Sequence, residues 1–482
     1  MNSSEGFRTF NPRENKFNNE VHFCSSEREV ENALQSAKDA FDFYSSIVLE
    51  KRISFLSAIK RNILKLKDEI QIAYCAESGL SEVRFESEFL RTVNQIQLFC
   101  DFLQNEFNEI ATFQPENKEQ KTPSLKKKFI PIGPILVIGS SNFPLAYSTM
   151  GGDSVAALAA GCPVIVKAHP MHVETSKLVA DCVFEALKEV DFPQGVFSHL
   201  IDDSYSVATK LICDPRIKGA GFTGSIRGGR ALIDLAASRS EPIPVFTEMG
   251  STNPVFILQD SLKENSDVWS SNLAQAICND AGQFCTKPGV VFIPNNEKGT
   301  QFSKLLEEKI MHFESFCMLH PNILRNFEQL KKERAQLAES KLIEKIGIIE
   351  PLQGRQTVLI TDINTILNKP VLLEEVFGPF ALFVYYNNVN ELENCLSSFH
   401  GQLTITFLAE ENEMKNNNNL LKIASEKAGR IIFNGVPTGV TVCTAMNHGG
   451  PYPATSDSRF TAVGTDSMMR FLRTVTYQNF FD

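Results

Sequence analysis

Basic excess is missing from this chain of 482 residues: 47 Lys and Arg stand against 57 Asp and Glu, a formal net charge of -10. Such a balance offers no positive surface to a phosphate backbone, so nucleic acid is not an expected partner. Long apolar runs are missing as well. The longest uncharged stretch, 129–152, is interrupted by Pro131, Pro134 and Pro144 and by Ser140, Ser141 and Asn142, so no membrane partner is expected. The amino-terminal MNSSEGFRTFNPRENK lacks the apolar core of a signal peptide, and TYQNFFD at the other end matches no lipidation or retention signal. A cytoplasmic protein is expected. The eleven cysteines are odd in number and contain no CxxC pair, which argues against a disulfide framework and against a structural zinc site. There is no internal repeat, and the only low-complexity tract is the asparagine run 416–419.

What is present is ordinary globular composition, 43% hydrophobic and 22% charged, at a length too great for one compact core. Ser26 and Glu29 form a capping box, after which Val30, Leu34, Ala37 and Phe41 recur at helical spacing. Ile53, Leu56, Ile59 and Ile63 give a second stripe, and Phe89, Val93, Ile96, Cys100 and Leu103 a third, so the first hundred or so residues read as helical. From Gly133 onward short β-branched runs alternate with helical stretches: 134–139, 163–167, 219–223 and 244–248, then 289–294, 379–386, 403–409 and 430–435. That alternation predicts parallel sheets with crossover helices, in two α/β domains divided near Gly250. The basic stretch 119–129 reads as a solvated edge or a projecting hairpin.

Four segments could do chemistry together. FTGSIRGGR puts Gly224, Ser225, Gly228 and Gly229 between a predicted strand and a helix, where main-chain N–H groups can approach a pyrophosphate; without GxGxxG spacing, a plain tight turn explains it as well. AGQFCTKPG puts Cys285 between a helix and a strand, although most free cysteines are small buried hydrophobes. Its company raises its standing: Asn142 follows one strand and Glu248 ends another, and strand ends in a doubly wound sheet converge on the ligand crevice.

Asn142 in SNFP, Lys167 in VIVK, FTGS, Glu248 in TEMGS, Cys285 in GQFC and Glu375 in EEVFGP have the order and spacing that resemble the aldehyde dehydrogenase superfamily. Within it, KAHPMH, EMGSTNP, GQFCTKPG and RIIFNGVPTGV followed by HGGPYPATSDSRFTAVG are most similar to the 2-oxoglutarate semialdehyde (2,5-dioxopentanoate) dehydrogenases. The resemblance implies an α/β fold of two doubly wound domains: a Rossmann-like cofactor domain from 1–112 and 131–249, and a catalytic domain from 250–469. It also implies a small bridging element, 113–130 with 470–482, through which the chain forms a homodimer or homotetramer. Cys285 is the implied nucleophile, Asn142 the oxyanion amide and Glu248 the base for thioester hydrolysis. Lys167 and Glu375 resemble residues that hold the cofactor riboses, and Ser225 with Gly224 the pyrophosphate turn. Pro144, Phe222 and Phe377 are implied in the cofactor cleft; Phe143, Tyr147, Phe284 and His448 are implied on the substrate side.

Many NAD-using members carry a glutamate three residues after the strand lysine, where it repels a 2′-phosphate. Here Pro170 stands there, which favours NADP with NAD possible. Ser141 replaces a usual tryptophan and Ser251 a usual glycine, as in the proposed subfamily. A carboxylate-bearing aldehyde needs a cationic partner, and Arg91, opposite the Phe89 stripe on a face shared with Leu98 and Phe102, is the candidate. Bland alternatives stand beside these roles. Arg91 could be a surface ion pair, Lys167 a strand-end charge, Glu374 with Glu375 a helix-start acid pair, and His448 a loop histidine satisfied by backbone. His169 and His172 lack further ligands nearby, so no metal is expected. Competing functions are an NADP-dependent dehydrogenase of other aliphatic or fatty aldehydes, an acylating enzyme that releases its thioester to coenzyme A, and a non-catalytic binding protein of the same fold.

Overall fold

The computed structural model describes residues 6–107, 110–113, 123–263, 265–340, 342–348 and 350–479. After a short antiparallel pair, β1 (Phe10–Asn11) with β2 (Lys16–Phe17), come four helices: α1 (Glu27–Ser46), α2 (Leu49–Lys65), α3 (Lys67–Ser78) and α4 (Glu82–Asn105). The capping box at Ser26 forms as its spacing predicts: the Glu29 main-chain N–H donates to Ser26 Oγ at 3.2 Å, and the Ser26 N–H donates to Glu29 Oε2 at 2.7 Å.

β3 (Ile110–Phe113) and β4 (Leu125–Pro131) lead into a five-stranded parallel sheet of β5 (Ile135–Ile138), β6 (Val164–Lys167), β7 (Phe197–Leu200), β8 (Gly219–Thr223) and β9 (Val245–Glu248), joined through α5 (Gly152–Ala160), α6 (Val173–Glu189), α7 (Ser206–Cys213) and α8 (Ile226–Ala237). The order β7-β6-β5-β8-β9 reverses direction at β5, which makes the carboxyl ends of β5 and β8 the natural ligand crevice. Alternation along each strand feeds two cores at once. Val137 and Val164 pack with Phe55, Ile59, Phe89 and Ile96 of α2 and α4, while Leu136 and Ile165 pack with Val30, Leu34 and Ala37 of α1.

The chain crosses at 249–254 into a second sheet of β10 (Val255–Ile257), β11 (Val290–Pro294), β12 (Ile343–Glu344), β13 (Thr357–Asp362), β14 (Phe380–Tyr386), β15 (Gln402–Leu408) and β16 (Ala428–Phe433), ordered β12-β13-β14-β11-β10-β15-β16 and parallel except for β12. The helix α9 (Ser266–Cys278) connects β10 to β11. Here too Phe256 and Phe292 enter one core, and Val255, Val291 and Ile293 the other.

A third, antiparallel sheet is ordered β17-β4-β3, with β17 at Leu472–Gln478. Of the basic stretch 119–129, expected as a solvated edge or a projecting hairpin, 119–122 lie outside the described residues and 125–129 belong to β4, which pairs antiparallel with β3 as in a hairpin but is the middle strand and not an edge. Its lysines are tolerated there because only the long aliphatic stems need cover. The strands β7, β10 and β13 were not anticipated; β10 is only three residues long, and β7 contains Ser198 and His199 in place of an apolar run.

Candidate active site

Cys285 sits between α9 and β11, in a segment whose backbone is tightly determined. Asp280, Ala281 and Gly282 all have positive φ, at 47°, 54° and 64°, and a Cβ at Gly282 would come 2.5 Å from the Gly378 carbonyl oxygen. Asn253, also left-handed at φ 47°, donates from Nδ2 to the carbonyl oxygens of Cys285 and Lys287 at 2.8 and 3.0 Å. Its own Oδ1 accepts from Ser251 and Thr404 hydroxyls, and Gln402 Oε1 accepts from the main-chain N–H groups of Thr252 and Asn253. Ser251, which stands where a glycine is usual, therefore contributes a hydroxyl to the network under the nucleophile loop.

Two cavities meet at Cys285. One, of about 400 Å³, opens at the strand ends and is lined by Asn142, Gly224, Ser225, Glu248, Glu375 and Phe377. The other, of about 990 Å³, is lined by Arg91, Phe143, Tyr147, Phe284 and His448, and by Arg84 and Glu88.

On the first side, Glu248 ends β9 and is 2% exposed; its Oε1 lies 2.9 Å from His448 Nε2, and its Oε2 has no hydrogen-bond partner among the described residues. Burial acts to raise the Glu248 carboxyl, but the facing His448 and the Cys285 thiol hold it below its ordinary value. The same nitrogen of His448 is 3.8 Å from Cys285 Sγ. His448 is thus joined to the acid, not satisfied by backbone alone. Burial, and next the Glu248 carboxylate, push the Cys285 thiol well above its ordinary value. Asn142 Nδ2 donates one hydrogen to the Gln283 carbonyl at 2.9 Å, which fixes the amide plane and leaves the other hydrogen available.

The residues expected around a dinucleotide separate into two sets. Gly224, Ser225, Glu375 and Phe377 line the first cavity. Ser225 caps α8, accepting from the Gly228 N–H at 3.1 Å, and α8 presents its amino end there. Burial pushes Glu375 up to about 7 and pushes the neighbouring Lys287 down to about 8, and Lys287 Nζ donates to the Val376 and Phe380 carbonyls. Glu374 instead pairs with Arg334 at 2.9 Å, so the two acids are no helix-start pair. Pro144 and Phe222 lie outside the lining of this cavity, Pro144 being buried and Phe222 underlying the turn, where Cβ atoms on Gly224 and Gly228 would strike its ring at 2.5 and 3.0 Å. Lys167 is 5% exposed and donates to the Asp202 carbonyl at 2.6 Å, which excludes a surface strand-end charge. Lys167 and Pro170 lie outside the cavity's wall, at the end of β6 and in the turn after it. A nicotinamide dinucleotide fits this donor set: main-chain approach at Gly224, free N–H groups at the start of α8, and a buried carboxyl at Glu375.

On the second side, Arg91 Nη2 donates to the Tyr147 hydroxyl at 2.7 Å, and Arg91 has no ion-pair partner among the described residues. Tyr147, Phe143 and Phe284 form an aromatic wall, with centroids 5.2 Å apart for Phe143–Tyr147 and 5.9 Å for Phe143–Phe284.

A polar cluster that sequence reasoning missed ties the two loops of the site together. Glu88 Oε1 accepts from the main-chain N–H groups of Leu145 and Ala146 at 2.8 and 2.9 Å, and Glu88 Oε2 from the Tyr74 hydroxyl at 2.7 Å. Arg84 pairs with Glu88 at 3.2 Å and with Asp280 at 3.1 Å, and its guanidinium stacks 4.5 Å from the Phe143 centroid. Thus α4 links the loop of Asn142 to the loop of Cys285. The available signal was the spacing of Arg84, Glu88, Arg91 and Gln95, a polar stripe at helical period beside the apolar one. Arg430, also missed, donates to the Gly439 and Pro437 carbonyls and holds the loop that carries Gly439 and Val440 into the second cavity.

A thiol, an amide and an acid meet between two cavities, an arrangement suited to covalent attack on a carbonyl carbon. The chain belongs to the aldehyde dehydrogenase family, whose pattern it matches over residues 1–314, and it is an NAD(P)-dependent oxidoreductase acting on aldehyde groups. It is 39% identical over 462 residues, 94% of this chain and 86% of the other, to the alpha-ketoglutaric semialdehyde dehydrogenase of Acinetobacter baylyi. To alpha-ketoglutaric semialdehyde dehydrogenase 2 of Azospirillum brasilense it is 36% identical, covering 100% of this chain and 92% of that one. The fold is shared with a glyceraldehyde-3-phosphate dehydrogenase of Methanocaldococcus jannaschii solved with NADP, at a TM-score of 0.83, 18% identity and 99% coverage of both chains. It is shared also with a Thermus 1-pyrroline-5-carboxylate dehydrogenase with bound NAD, at a TM-score of 0.82 and 19% identity, covering 99% of this chain and 90% of that one. No helix among the described residues is long and apolar enough to cross a membrane.

Proposed function

We propose that this chain oxidises 2-oxoglutarate semialdehyde to 2-oxoglutarate with NADP as the favoured acceptor and NAD as a usable one. The observation that carries the reading is the position of Cys285 on two cavities: Asn142 and Glu248 stand on the dinucleotide side, and Arg91, without an ion-pair partner among the described residues, on the other. The names of the two relatives support the substrate.

The raised thiol pKa means that Cys285 must lose a proton, to solvent in the open second cavity, before it attacks; Glu248 is kept for the later attack of water. Sγ then adds to the aldehyde carbon, and the free N–H of the Asn142 amide stabilises the oxyanion of the thiohemiacetal. A nicotinamide bound in the first cavity supplies the hydride acceptor. Gly224 and Ser225 would hold its pyrophosphate, and Lys167 and Glu375 its riboses. With the thioester formed, the unpartnered Oε2 of Glu248 is free to take a proton from water as that water attacks, and the acid leaves. Arg91 and the Tyr147 hydroxyl together grip the substrate carboxylate, as two parallel donors suit a planar acid. Phe143 and Phe284 wall the chain between.

Glu248 favours hydrolysis over release to coenzyme A, and Arg91, which has no ion-pair partner among the described residues, favours an acid-bearing aldehyde over a fatty one. Pro170 favours NADP because it removes a carboxylate that would repel the 2′-phosphate. The same reading assigns residues 1–112 and 131–249 to the cofactor domain and 250–469 to the catalytic domain, and expects a cytoplasmic homodimer or homotetramer assembled through 113–130 and 470–482. Of those bridging residues, 114–122 and 480–482 lie outside the described ones. An absorbance assay of NADPH formation with 2-oxoglutarate semialdehyde, succinate semialdehyde and pentanal tests the reading. It predicts the largest kcat/KM for the first, and a preference for pentanal would reject it.

A further inference from the structure

We propose that Glu20, His22 and Glu174 form a binding site for a first-row divalent cation that fastens the amino-terminal segment to the start of α6. The site lies outside the two cavities at Cys285 and does not depend on the reading of the substrate.

Glu20 and His22 belong to the extended stretch between β2 and α1, and Glu174 to the first turn of α6. One donor atom from each of the three lies within 4.8 Å of the others. The local backbone fixes two of them. His22 and Phe7 exchange main-chain hydrogen bonds at 2.8 Å in both directions, and the Glu174 N–H donates to Glu77 Oε1 at 2.8 Å, so each of the two is held within its own surroundings.

Two unpartnered atoms point to a ligand. The His22 ring is 5% exposed, and its Nε2 is buried with no hydrogen-bond partner among the described residues. Glu174 Oε2 is in the same condition. A buried imidazole nitrogen and a buried carboxylate oxygen on residues of one cluster, neither of them bonded, are unfavourable for the protein alone, and a shared partner relieves both. Lys177 Nζ pairs with Asp181 at 3.3 Å and makes no hydrogen bond to Glu20, His22 or Glu174 among the described residues, although both carboxylates feel its charge. Two carboxylates that repel each other cancel the charge of a divalent ion, and the exposed Glu20 leaves room for water to complete the coordination.

The donor set selects the ion. One imidazole nitrogen and two carboxylate oxygens suit Mn²⁺ or Zn²⁺. Among the described residues the two other groups of comparable geometry, Glu248–Cys285–His448 and Cys24–Asp202–Asp203, each contain a thiol. Manganese, which favours oxygen and nitrogen over sulfur, therefore distinguishes this site from both.

The test is a titration of the full chain with Mn²⁺, followed by loss of the free-ion electron paramagnetic resonance signal, with the melting temperature recorded in parallel. The expected result is saturation at one ion per chain and a rise in Tm, with binding weakened by about tenfold or more in His22→Gln and in Glu174→Gln. Glu20→Gln alters only an exposed side chain and is expected to weaken binding as well, so the test stands even if the two buried variants misfold. Absence of saturable binding overturns the proposal, and so does binding of undiminished strength in Glu20→Gln together with whichever of the other two variants folds.

Discussion

On the dinucleotide side of Cys285 the wall is made by strand ends and main chain: the turn at Gly224, the capped start of α8, and Glu248 as the last residue of β9. On the opposite side the wall is made by long side chains, Arg84, Glu88 and Arg91 from α4, and by a loop held in place by Arg430. The first wall has little freedom, because moving any part of it means moving a buried parallel strand. The second can change its chemistry by exchanging side chains on one helix face. A common reaction and a variable substrate are what such a division permits.

The sharpest way to break that comparison is to remove the residue both walls share. Cys285→Ala is expected to lower aldehyde oxidation by more than about a thousandfold while NADPH binding, measured by calorimetry, stays nearly intact. Comparable activity in the variant would falsify the assignment. Next comes a residue of the first wall alone. Glu248→Gln is expected to cut steady-state turnover by roughly a hundredfold or more and still give a rapid burst of NADPH near one equivalent per site, because hydride transfer precedes hydrolysis. Unchanged steady-state turnover would remove Glu248 from the hydrolytic step.

A residue of the second wall should act on substrate choice instead. Arg91→Ala is expected to raise KM for 2-oxoglutarate semialdehyde by about one to two orders of magnitude, roughly 1.5 to 3 kcal/mol of charged hydrogen bonding, and to leave pentanal almost unaffected. Equal losses for both aldehydes would show that Arg91 only supports the aromatic wall through Tyr147.

The pH dependence is set by the thiol. Its pKa is raised by burial and by Glu248, so the reactive thiolate is the minor form at neutral pH and grows as pH rises. The kcat/KM for aldehyde should therefore climb by up to about tenfold per pH unit and still be rising at about pH 9, since a thiol held above its ordinary value is only partly converted to thiolate by then. A flat profile would mean that the dinucleotide-bound enzyme already holds a thiolate. The smallest expected effect concerns the cofactor: the ratio of kcat/KM should favour NADP or lie near parity. A preference for NAD beyond about a hundredfold, about 2.7 kcal/mol, would show that another acid reads the ribose in place of the residue Pro170 lacks.

How far the chain could be read depended on how local each feature is. The strands β5, β6, β8 and β9 show in the sequence as short β-branched runs because a parallel strand buried on both faces has to be apolar throughout. The strand β10 escaped notice because three residues carry no period. Among the site residues, Asn142 lies in the turn after β5, Glu248 ends β9 and Cys285 lies between α9 and β11, so topology brings them to one end of the sheets. Pro144 and Phe222 occupy the right segments, yet the first is buried and the second underlies the glycine turn: a motif fixes the position of a residue more firmly than the direction of its side chain.

The sequence by itself therefore determined the alternation that builds two parallel sheets, the switch point that opens a crevice, and the motifs that put a thiol, an amide and an acid at its rim. Tertiary structure alone decided the pairings: His448 with Glu248, 200 residues apart, Arg91 with Tyr147, 56 residues apart, and Glu88 with the main chain after Asn142. The physical reason is that burial and period act on neighbouring residues and leave a trace in every few positions. A hydrogen bond between distant segments depends on register, rotamer and the last few tenths of an ångström of packing, which no local pattern encodes.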